Sequence, residues 1–334
     1  MTILVQHIFC KTFISLTGII VCTIIIFNVI TNITPTATEQ SYTERFISNE
    51  TQVQPDIQPK SIEENEVSFC KDVASSQFVG RVLVLRSPST IKEMEHQFDW
   101  LQAGGHWHPP NCRAKQKLAV IVPFRNREIH LSVFLRHMHP FLRQQQLDYT
   151  IFVIEQQGDK PFNRGMLMNI GFEQAMSMDQ FDCFIFHDVD LLPENNRNLY
   201  MCGSVPRHMS VAVDVLRYRL PYKNIFGGVT ALTTQHFSLV NGFSNSFWGW
   251  GGEDDDIFNR LQAHKLDVTR YSSVIARYKM LRHQKAKPNP QRYNLLKEGK
   301  KKYTIDGLNS LHYKVLQKQK KMLYTWILVD INTK

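Results

Sequence analysis

Three short apolar runs, each followed by polar or charged residues, place the strongest constraint on the fold of this 334-residue chain. They are "LAVIVPFRN" (118–126), "YTIFVIEQ" (149–156) and "FDCFIFHDVDLLP" (181–193). Runs of this length that are rich in Val, Ile and Phe predict buried strands. Segments with helical spacing separate them, at 130–145 and 162–176. This alternation predicts an α/β fold, with a mostly parallel central sheet flanked by helices.

Ligand-binding side chains follow all three predicted strands. Arg125 and Arg127 follow the first, Glu155 lies at the end of the second, and Asp188 and Asp190 follow the third. Because ligands bind beyond the carboxyl ends of the strands in such sheets, these residues predict a binding site. The chain has neither a G-x-G-x-x-G sequence nor a Walker P-loop. Their absence argues against a dinucleotide-binding domain and against a P-loop ATPase.

The "HDVD" sequence at 187–190 predicts a site for a divalent metal ion. In an extended segment, residues two apart point in the same direction, so Asp188 and Asp190 would both reach one cation. Their hard oxygen atoms suit Mg²⁺ or Mn²⁺. A diphosphate would complete the coordination shell, and the metal would then offset charge on a leaving nucleoside diphosphate. The alternative interpretation is a solvated strand end or turn.

The sequence "FWGWGGEDDD" at 247–256 combines two tryptophans, three glycines and four consecutive carboxylates. Adjacent carboxylates repel one another, so a folded protein holds them only where something compensates the charge. A metal ion, a hydroxyl-rich ligand or plain solvent would each do so. The tryptophans are alternatively ordinary core residues.

The N-terminal region predicts a membrane anchor. Residues 12–30 contain no charge, and at about 1.5 Å per residue a helix of this length just spans a bilayer core. Lys11 precedes the segment and the next charged residue is Glu39, which favours a cytosolic tail at 1–11 and a translocated body. A cleaved signal peptide is the alternative. Its apolar region is usually shorter, about 7–15 residues, and no small-x-small cleavage site follows here.

Residues 31–67 are rich in Thr, Glu, Gln, Ser and Pro and predict a flexible lumenal stem ahead of a catalytic domain at 68–334. Asn32 and Asn49 begin glycosylation sequons, which have meaning only in a secretory compartment. The net charge of +9 is compatible with a nucleic-acid binder, a membrane-surface protein or an enzyme for anionic substrates. No nucleic-acid-binding motif occurs, which argues against the first of these.

Six cysteines occur, and Cys10 and Cys22 belong to the predicted tail and anchor. An even number in a lumenal body fits two disulfides, and three pairings are open. A zinc site is the alternative, although no C-x-x-C sequence occurs. The four cysteines of the body are Cys70, Cys112, Cys183 and Cys202.

Eight motifs occur in an order that resembles one family. They are "VPFRNR", "FNRG", "FHDVDLLPEN", "FGGVTAL", "GFSNSFWGWGGEDDD", "MLRH", "PNPQR" and "DGLNSL", and the resemblance covers about residues 70–331. The chain resembles the β1,4-galactosyltransferase family of type II Golgi membrane proteins. The resemblance implies a Rossmann-like GT-A fold and a Mn²⁺-dependent, inverting transfer from a UDP-sugar to the 4-hydroxyl of terminal GlcNAc. It also implies the disulfides Cys70–Cys112 and Cys183–Cys202.

The resemblance implies three protein ligands for the metal: Asp190, Met280 and His283. A methionine beside a hard cation is unexpected from ligand softness and rests on the resemblance alone. The arginines of the implied nucleotide pocket can each donate two hydrogen bonds to phosphate or uracil oxygens. The residues of that pocket are Pro123, Phe124, Arg125, Arg127, Phe162, Arg164, Asp188 and Val189.

The same resemblance assigns roles around the carboxylate run. Asp254 matches the base that deprotonates the acceptor hydroxyl, and Glu253 and Asp255 match carboxylates that bind the two sugars. Trp250 matches an aromatic residue on a mobile loop hinged at glycines. A second mobile segment, about 281–297, would carry His283 and close over the donor, which excludes water. The implied pocket for the acceptor N-acetyl group consists of Arg292, Tyr293 and Leu296.

Ile225 stands where vertebrate galactosyltransferases carry a tyrosine that fills space beside the C2 substituent of the donor sugar. Losing the ring and hydroxyl leaves room for an acetamido group, so the chain most resembles an invertebrate β1,4-N-acetylgalactosaminyltransferase. We therefore expect transfer of GalNAc from UDP-GalNAc, forming GalNAcβ1,4GlcNAc on glycoproteins or glycolipids. An accessory membrane subunit or a homodimer is compatible with this organisation.

Three other functions compete with this one. The first is the same chemistry with UDP-Gal as donor. The second is a catalytically silent, lectin-like or scaffold protein, against which the intact Asp190, His283 and Asp254 argue. The third is a two-metal nuclease, against which the predicted anchor and the sequons argue. Metal-dependent UDP release without nucleic-acid cleavage separates the transferases from the other two.

Overall fold

The computed structural model describes residues 67–71, 80–284 and 286–331. The predicted tail and anchor, and the stem up to residue 66, lie outside the described residues. Within the described ranges, no helix is both long enough and apolar enough to cross a bilayer.

Eleven strands and six helices make up the described fold. The strands are β1 (His106–Trp107), β2 (Lys117–Phe124), β3 (Asp148–Gln156), β4 (Cys183–His187), β5 (Leu191–Pro193), β6 (Arg207–His208), β7 (Ala212–Val213), β8 (Val229–Thr233), β9 (Arg277–Met280), β10 (Lys314–Lys320) and β11 (Thr325–Asp330). The helices are α1 (Ile91–Gln97), α2 (Glu128–Gln144), α3 (Arg164–Met176), α4 (Thr234–Leu239), α5 (Glu253–Ala263) and α6 (Arg292–Lys302), with 3₁₀ helices at Asp214–Leu216 and Leu308–Ser310.

The main sheet is mixed. Its strand order is β10-β11-β3-β2-β4-β8-β6, with β1 pairing to β3. The four strands β11, β3, β2 and β4 run parallel, whereas β10, β8, β6 and β1 join antiparallel. The parallel centre that the three apolar runs predict is confirmed. The prediction of a mostly parallel sheet therefore holds only for that centre. The strands outside it pair antiparallel with their neighbours.

The centre of the sheet is buried on both faces, as its continuous apolar runs require. Alternate residues of β2 contact different helices: Val120 and Val122 belong to the core under α2, and Ile121 belongs to the core under α3. Gly171 lets α3 approach closely, because a Cβ atom there would overlap the side chain of Ile121. The two cores fix the sheet and its flanking helices as one scaffold.

The third predicted strand is wrong in its extent. β4 ends at His187, residues 188–190 form a turn, and β5 belongs to a separate three-stranded sheet of order β5-β9-β7. In that sheet Leu191 pairs with Met280. The turn therefore lies where the carboxyl end of β4 meets the small sheet, and this junction positions the site described below.

Two disulfides hold the described body. Cys70 pairs with Cys112, and Cys183 pairs with Cys202. The pairing implied by the family resemblance is confirmed, and a zinc site at these cysteines is excluded.

Several histidines of the fold are held neutral, of which His139 and His187 are fully buried and His137 is half-buried. Burial lowers the pKa of His137, His139 and His187 to about 4. The tautomer of His139 is fixed by its partners: Nε2 donates to the Leu323 carbonyl at 2.8 Å, so Nδ1 accepts from the Tyr149 hydroxyl at 2.9 Å. Protonation would break this arrangement and leave a charge in the core.

This burial makes stability depend on pH. The unfolded chain binds a proton at His139 near the ordinary pKa of 6.5, and the folded chain only near 4. The stability contributed by neutral His139 is therefore complete above pH 6.5 and is lost as the pH falls towards 4. Between pH 7 and 5, the free energy of unfolding should fall by about 2 kcal/mol more in the wild type than in His139→Gln. Urea titrations of both proteins at pH 7 and pH 5 measure this change in the free energy of unfolding.

The control variant is His96→Gln, because His96 is exposed at the end of α1. The free energy of unfolding of this variant should change with pH as that of the wild type does. An unchanged slope in His139→Gln would contradict the assignment of His139 as a buried neutral group.

Candidate active site

The carboxylate run opens helix α5. Gly252 precedes the helix with φ of 103°, and Glu253, Asp254, Asp255 and Asp256 form its first turn. The first turn of a helix has unpaired N–H groups, and the helix dipole favours negative charge there. The local backbone thus compensates part of the repulsion, and Glu253, Asp255 and Asp256 each have a different additional partner.

Arg164 connects α5 to the end of strand β4. It is the first residue of α3, and its Nε donates to Asp188 Oδ1 at 2.6 Å. Its Nη1 lies 3.7 Å from Glu253 Oε1. Burial opposes the charge on Arg164, but Asp188, Asp254 and Glu253 more than offset this and raise its pKa. Three elements therefore meet at one buried guanidinium.

Glu253 retains unused hydrogen-bonding capacity. Its side chain is 9% exposed, and burial, followed by the charge of Asp254, raises its pKa well above the ordinary value. Glu253 Oε2 and Arg164 Nη1 are buried and have no hydrogen-bond partner among the residues that the structure describes. Because buried polar atoms are rarely left unpaired, this pair is suited to bind a hydroxyl-bearing ligand.

Asp254 and Asp255 lie against residues 222–228. A Cβ atom on Gly227 would overlap the Asp254 carboxylate, so the glycine backbone contacts this side chain directly. Asp255 Oδ1 accepts a hydrogen bond from the Tyr222 hydroxyl at 2.8 Å. Burial raises the pKa of Asp255, and the bond from Tyr222 opposes that rise. Both carboxylates are partly exposed and therefore accessible to a ligand.

Asp256 differs from its neighbours because it is fully enclosed. Its Oδ2 accepts from Arg260 Nε at 2.7 Å, and both side chains are 1% exposed. Gly299 of α6 packs against it, since a Cβ atom there would overlap Asp256 Oδ1. Asp256 thus anchors α5 and is not available to a ligand.

The metal candidates meet at the turn after β4. Asp190 Oδ2 lies 2.9 Å from His283 Nε2, and the Leu281 N–H donates to the Asp190 carbonyl at 2.8 Å. Met280 ends strand β9 beside them. The hydrogen bond to Asp190 raises the pKa of His283.

The expectation that Asp188 and Asp190 share one cation is corrected. Residues 188–190 form a turn and not an extended segment, so Asp188 binds Arg164 while Asp190 faces His283. No group of three His, Cys, Asp or Glu side chains suited to a metal occurs in the described ranges. One carboxylate oxygen and one imidazole nitrogen do converge there, and their chemistry fits a cation such as Mn²⁺.

The predicted nucleotide residues lie on both sides of this turn. Arg125 Nη1 donates to the carbonyls of Gly158 and Lys160, and its guanidinium lies 5.4 Å from the Phe162 ring. Arg127 Nη2 lies 3.2 Å from His283 Nδ1. The side chains of Arg125 and Phe162 thus form one side of the candidate nucleotide pocket. Arg127 adds positive charge beside the metal candidates.

The remaining nucleotide candidates are buried. Val189 is 8% exposed and forms the middle of the turn, and Pro123 is buried in β2. Phe124 is 4% exposed in the core under α2. There it lines a cavity of about 450 Å³, together with Glu155 and Trp326, that contains none of the α5 carboxylates.

The aromatic loop packs against the segment that precedes α6. Asn289 donates from its backbone to the Trp250 carbonyl at 3.0 Å and from its side chain to the Trp248 carbonyl at 2.8 Å. The side chain of Trp250 is itself 57% exposed. The loop glycines all have positive φ, which a residue with a side chain rarely adopts. They are Gly249 (83°), Gly251 (99°) and Gly252 (103°).

The predicted acceptor residues border this loop. The guanidinium of Arg292 lies 4.4 Å from the Tyr293 ring, and its Cδ packs close to Gly251. Tyr293 is 68% exposed, and Leu296 is half-buried one turn along α6. The first turn of α6 therefore offers an aromatic and apolar surface beside the carboxylates.

The sequence patterns do not predict the contacts of three residues that support the site, Tyr222, Gly227 and His187. His187 Nδ1 donates to the Asp188 carbonyl at 2.8 Å, and its Nε2 accepts from the Tyr200 hydroxyl at 2.9 Å. These hydrogen bonds hold the start of the turn at residues 188–190 against the core. No periodicity predicts the contact of Tyr222 with Asp255 or that of Gly227 with Asp254, because each joins residues far apart in the chain.

Comparisons with known proteins identify the family and agree with the fold. Residues 70–203 match the N-terminal region of glycosyl transferase group 7, and residues 207–284 match a model described as the N-terminal domain of galactosyltransferase. Mouse β1,4-galactosyltransferase 1 is 50% identical over 70% of this chain and 59% of its own length. Chinese hamster β1,4-galactosyltransferase 4 is 42% identical over 83% of this chain and 81% of its own length.

Two solved structures share the fold. The catalytic domain of Drosophila β1,4-galactosyltransferase 7 with xylobiose is 30% identical, with a TM-score of 0.57, over 65% of this chain and 95% of that domain. A mutant of the same enzyme with manganese, UDP-Gal and xylobiose gives a TM-score of 0.55. The fold and site define a GT-A type glycosyltransferase. The chain belongs to the glycosyl transferase group 7 family, that of the β1,4-galactosyltransferases.

The different surroundings of neighbouring carboxylates predict different effects on stability. Asp256→Asn removes the carboxylate that accepts from the buried Arg260 and leaves it only the more distant Asp306, at 4.0 Å, so it should lower the free energy of unfolding by about 3 kcal/mol. Asp254→Asn, the matched control two residues earlier, should change it by less than about 1 kcal/mol. Denaturant unfolding of both variants measures the difference. Equal effects at the two positions would refute the division between an anchoring and a ligand-facing carboxylate.

Proposed function

We propose that this chain is a Mn²⁺-dependent inverting transferase that moves GalNAc from UDP-GalNAc to the 4-hydroxyl of terminal β-GlcNAc. The observation that carries the proposal is the buried Arg164, which holds Asp188 and Glu253 together. It places ligand-facing carboxylates beside the metal candidates. The product would be GalNAcβ1,4GlcNAc on glycoproteins or glycolipids.

The nucleotide diphosphate would lie between the turn after β4 and the arginines. Asp190, Met280 and His283 would hold Mn²⁺, which when bound supplies positive charge to the leaving diphosphate. Arg127, 3.2 Å from His283, adds a fixed cation on the same side. Arg125 and Phe162 would bind the base and ribose end. The complex of the Drosophila relative with manganese and UDP-Gal supports this arrangement.

Asp254 would act as the general base. It accepts the proton of the acceptor 4-hydroxyl as that oxygen attacks the anomeric carbon. The bond from that carbon to the diphosphate breaks, UDP leaves with the electron pair, and the configuration inverts. The unpaired Glu253 Oε2 and Arg164 Nη1 would bind hydroxyls of the donor sugar. Asp255, held by Tyr222, would bind the acceptor.

Residues 222–228 support GalNAc as the transferred sugar. Ile225 is half-buried between Tyr222, which binds Asp255, and Gly227, which contacts Asp254. A side chain at this position would border the space beside the base. An aliphatic residue leaves room for an acetamido group that a tyrosine would fill. UDP-Gal is the second candidate donor, because the relatives named above are galactosyltransferases.

The loop contacts support exclusion of water from the reaction. Trp250 is joined through Asn289 to the segment that leads into α6, where Arg292, Tyr293 and Leu296 would receive the acceptor N-acetyl group. Closing these segments over the bound donor suppresses hydrolysis of the UDP-sugar.

The setting of the enzyme follows from residues outside the described ranges. Residues 12–30 would anchor the protein in the Golgi membrane as a single-pass type II protein, with residues 31–67 as a stem. The catalytic domain would then face the lumen, where disulfides form. A homodimer or an accessory membrane subunit remains compatible with this arrangement.

A donor comparison tests the proposal. Soluble protein beginning near Ser61, with Mn²⁺ and a β-GlcNAc acceptor, should have a higher kcat/KM for UDP-GalNAc than for UDP-Gal. Ile225→Tyr should reverse the preference, because the ring occupies the acetamido space. We expect the ratio of kcat/KM for UDP-GalNAc over UDP-Gal to change by about tenfold or more, which is the effect of losing one apolar contact in a pocket.

Two outcomes would count against parts of the proposal. A wild-type preference for UDP-Gal would reject GalNAc and keep the mechanism. Transfer that survives in Asp254→Asn, the control for the base, would reject the assignment of Asp254.

A further inference from the structure

Residues 222–228, named here the selectivity segment, contact two of the carboxylates that face the proposed sugars and the backbone of Asp188. Tyr222 binds Asp255, Gly227 contacts Asp254, and the Gly228 carbonyl accepts from the Asp188 N–H at 3.0 Å. Its position therefore affects both the space for the transferred sugar and the placement of the base.

Arg270 holds this segment from behind. Its Nη2 donates to the carbonyls of Lys223 and Ile225, both at 2.9 Å. Its Nε donates to His208 Nδ1 at 3.1 Å. One half-buried guanidinium thus fixes the backbone of the segment and a neighbouring imidazole together.

His208 extends this contact to Gly227. Because Arg270 can only donate, His208 Nδ1 accepts, and Nε2 carries the proton and donates to the Gly227 carbonyl at 3.0 Å. The Ser210 hydroxyl donates to the same carbonyl at 2.9 Å. His208 is 1% exposed, and burial lowers its pKa to about 3, so the tautomer is fixed. The orientation of the Gly227 peptide beneath Asp254 is thereby determined.

The arginine itself is attached to the main sheet. The His208 N–H donates to the Thr269 carbonyl at 3.0 Å, and the Thr269 N–H donates to the Pro206 carbonyl at 2.9 Å. His208 belongs to β6, which pairs with β8. Arg270 therefore connects the Lys223 and Ile225 part of the selectivity segment to the sheet, and His208 and Ser210 connect Gly227 to it.

We propose that Arg270 is a positioning residue that sets donor-sugar selectivity, acting on Ile225 through its carbonyl and on Gly227 through His208. The proposal rests on the transferase function proposed above and adds a determinant that touches neither substrate. Without Arg270, three backbone and imidazole groups lose their donor, and the segment no longer holds Ile225 at a fixed distance from the sugar.

The test compares Arg270→Gln with Arg207→Gln. Arg207 is the matched control, because it is also half-buried, donates to the Leu199 and Met201 carbonyls and stacks on Tyr271, yet no contact joins it to the selectivity segment within the described residues. In Arg270→Gln the ratio of kcat/KM for the preferred over the other UDP-sugar should fall about tenfold towards one. Binding of UDP with Mn²⁺ should stay within about twofold of the wild type, because the groups that Arg270 holds, at Lys223, Ile225 and His208, do not belong to the nucleotide pocket. Arg207→Gln should keep the ratio.

Two further variants separate positioning from loss of structure. Arg270→Lys, which keeps one cationic donor but not the geometry of a guanidinium, should give an intermediate ratio. Combined with Ile225→Tyr, Arg270→Gln should change the ratio by less than the sum of the single effects, because both act on one segment. Additive effects, or equal loss with both donors in Arg270→Gln, would overturn the proposal.

Failure of the proposed function remains distinguishable. If the wild type prefers UDP-Gal, the donor assignment fails, but the loss of discrimination in Arg270→Gln still tests Arg270. If no transfer occurs, calorimetric titration with each UDP-sugar and Mn²⁺ gives the ratio of the two dissociation constants, which reports donor selectivity in binding. An unchanged ratio in that titration would overturn the role of Arg270.

Discussion

The buried guanidinium of Arg164 is the interaction on which the site depends. It opens helix α3, reaches Asp188 at the end of β4, and lies beside Glu253 at the start of α5. The carboxylates raise its pKa, and its charge in turn makes their proximity tolerable. Removing the arginine would leave several buried like charges uncompensated, so the position of α5 relative to the sheet depends on it.

The four consecutive carboxylates are tolerated because different groups of the protein compensate their negative charges. The N-terminus of α5 favours all four, Asp256 is neutralised by Arg260, and Asp255 is bound by Tyr222. Glu253 is left with an unpaired oxygen atom. The charge that the protein does not neutralise itself is therefore concentrated where sugars and a cation would bind.

Part of this structure is predictable from the sequence for a physical reason. Strands β2, β3 and β4 are buried on both faces, so their apolar runs are continuous, and Arg125, Arg127 and Asp188 follow them at the carboxyl edge. The turn at 188–190 is not predictable in this way, because an acidic strand end and an acidic turn have the same composition. The short strands β5 to β9 carry no periodicity. The pairing of Asp256 with Arg260 follows the i,i+4 spacing of a helix, but the burial of Asp256 against Gly299 and the contacts of Arg270 depend on tertiary structure. The family resemblance supplies the metal and base assignments that spacing alone leaves open.

The central claim is that the turn after β4 holds a catalytic metal ion beside the α5 carboxylates. A diffraction experiment at the manganese absorption edge, on crystals of soluble protein grown with Mn²⁺ and UDP-GalNAc, tests it most directly. The account predicts one strong anomalous peak contacted by Asp190, Met280, His283 and the diphosphate, with the sugar against Glu253. A peak elsewhere, or a sugar away from the carboxylates, would contradict it.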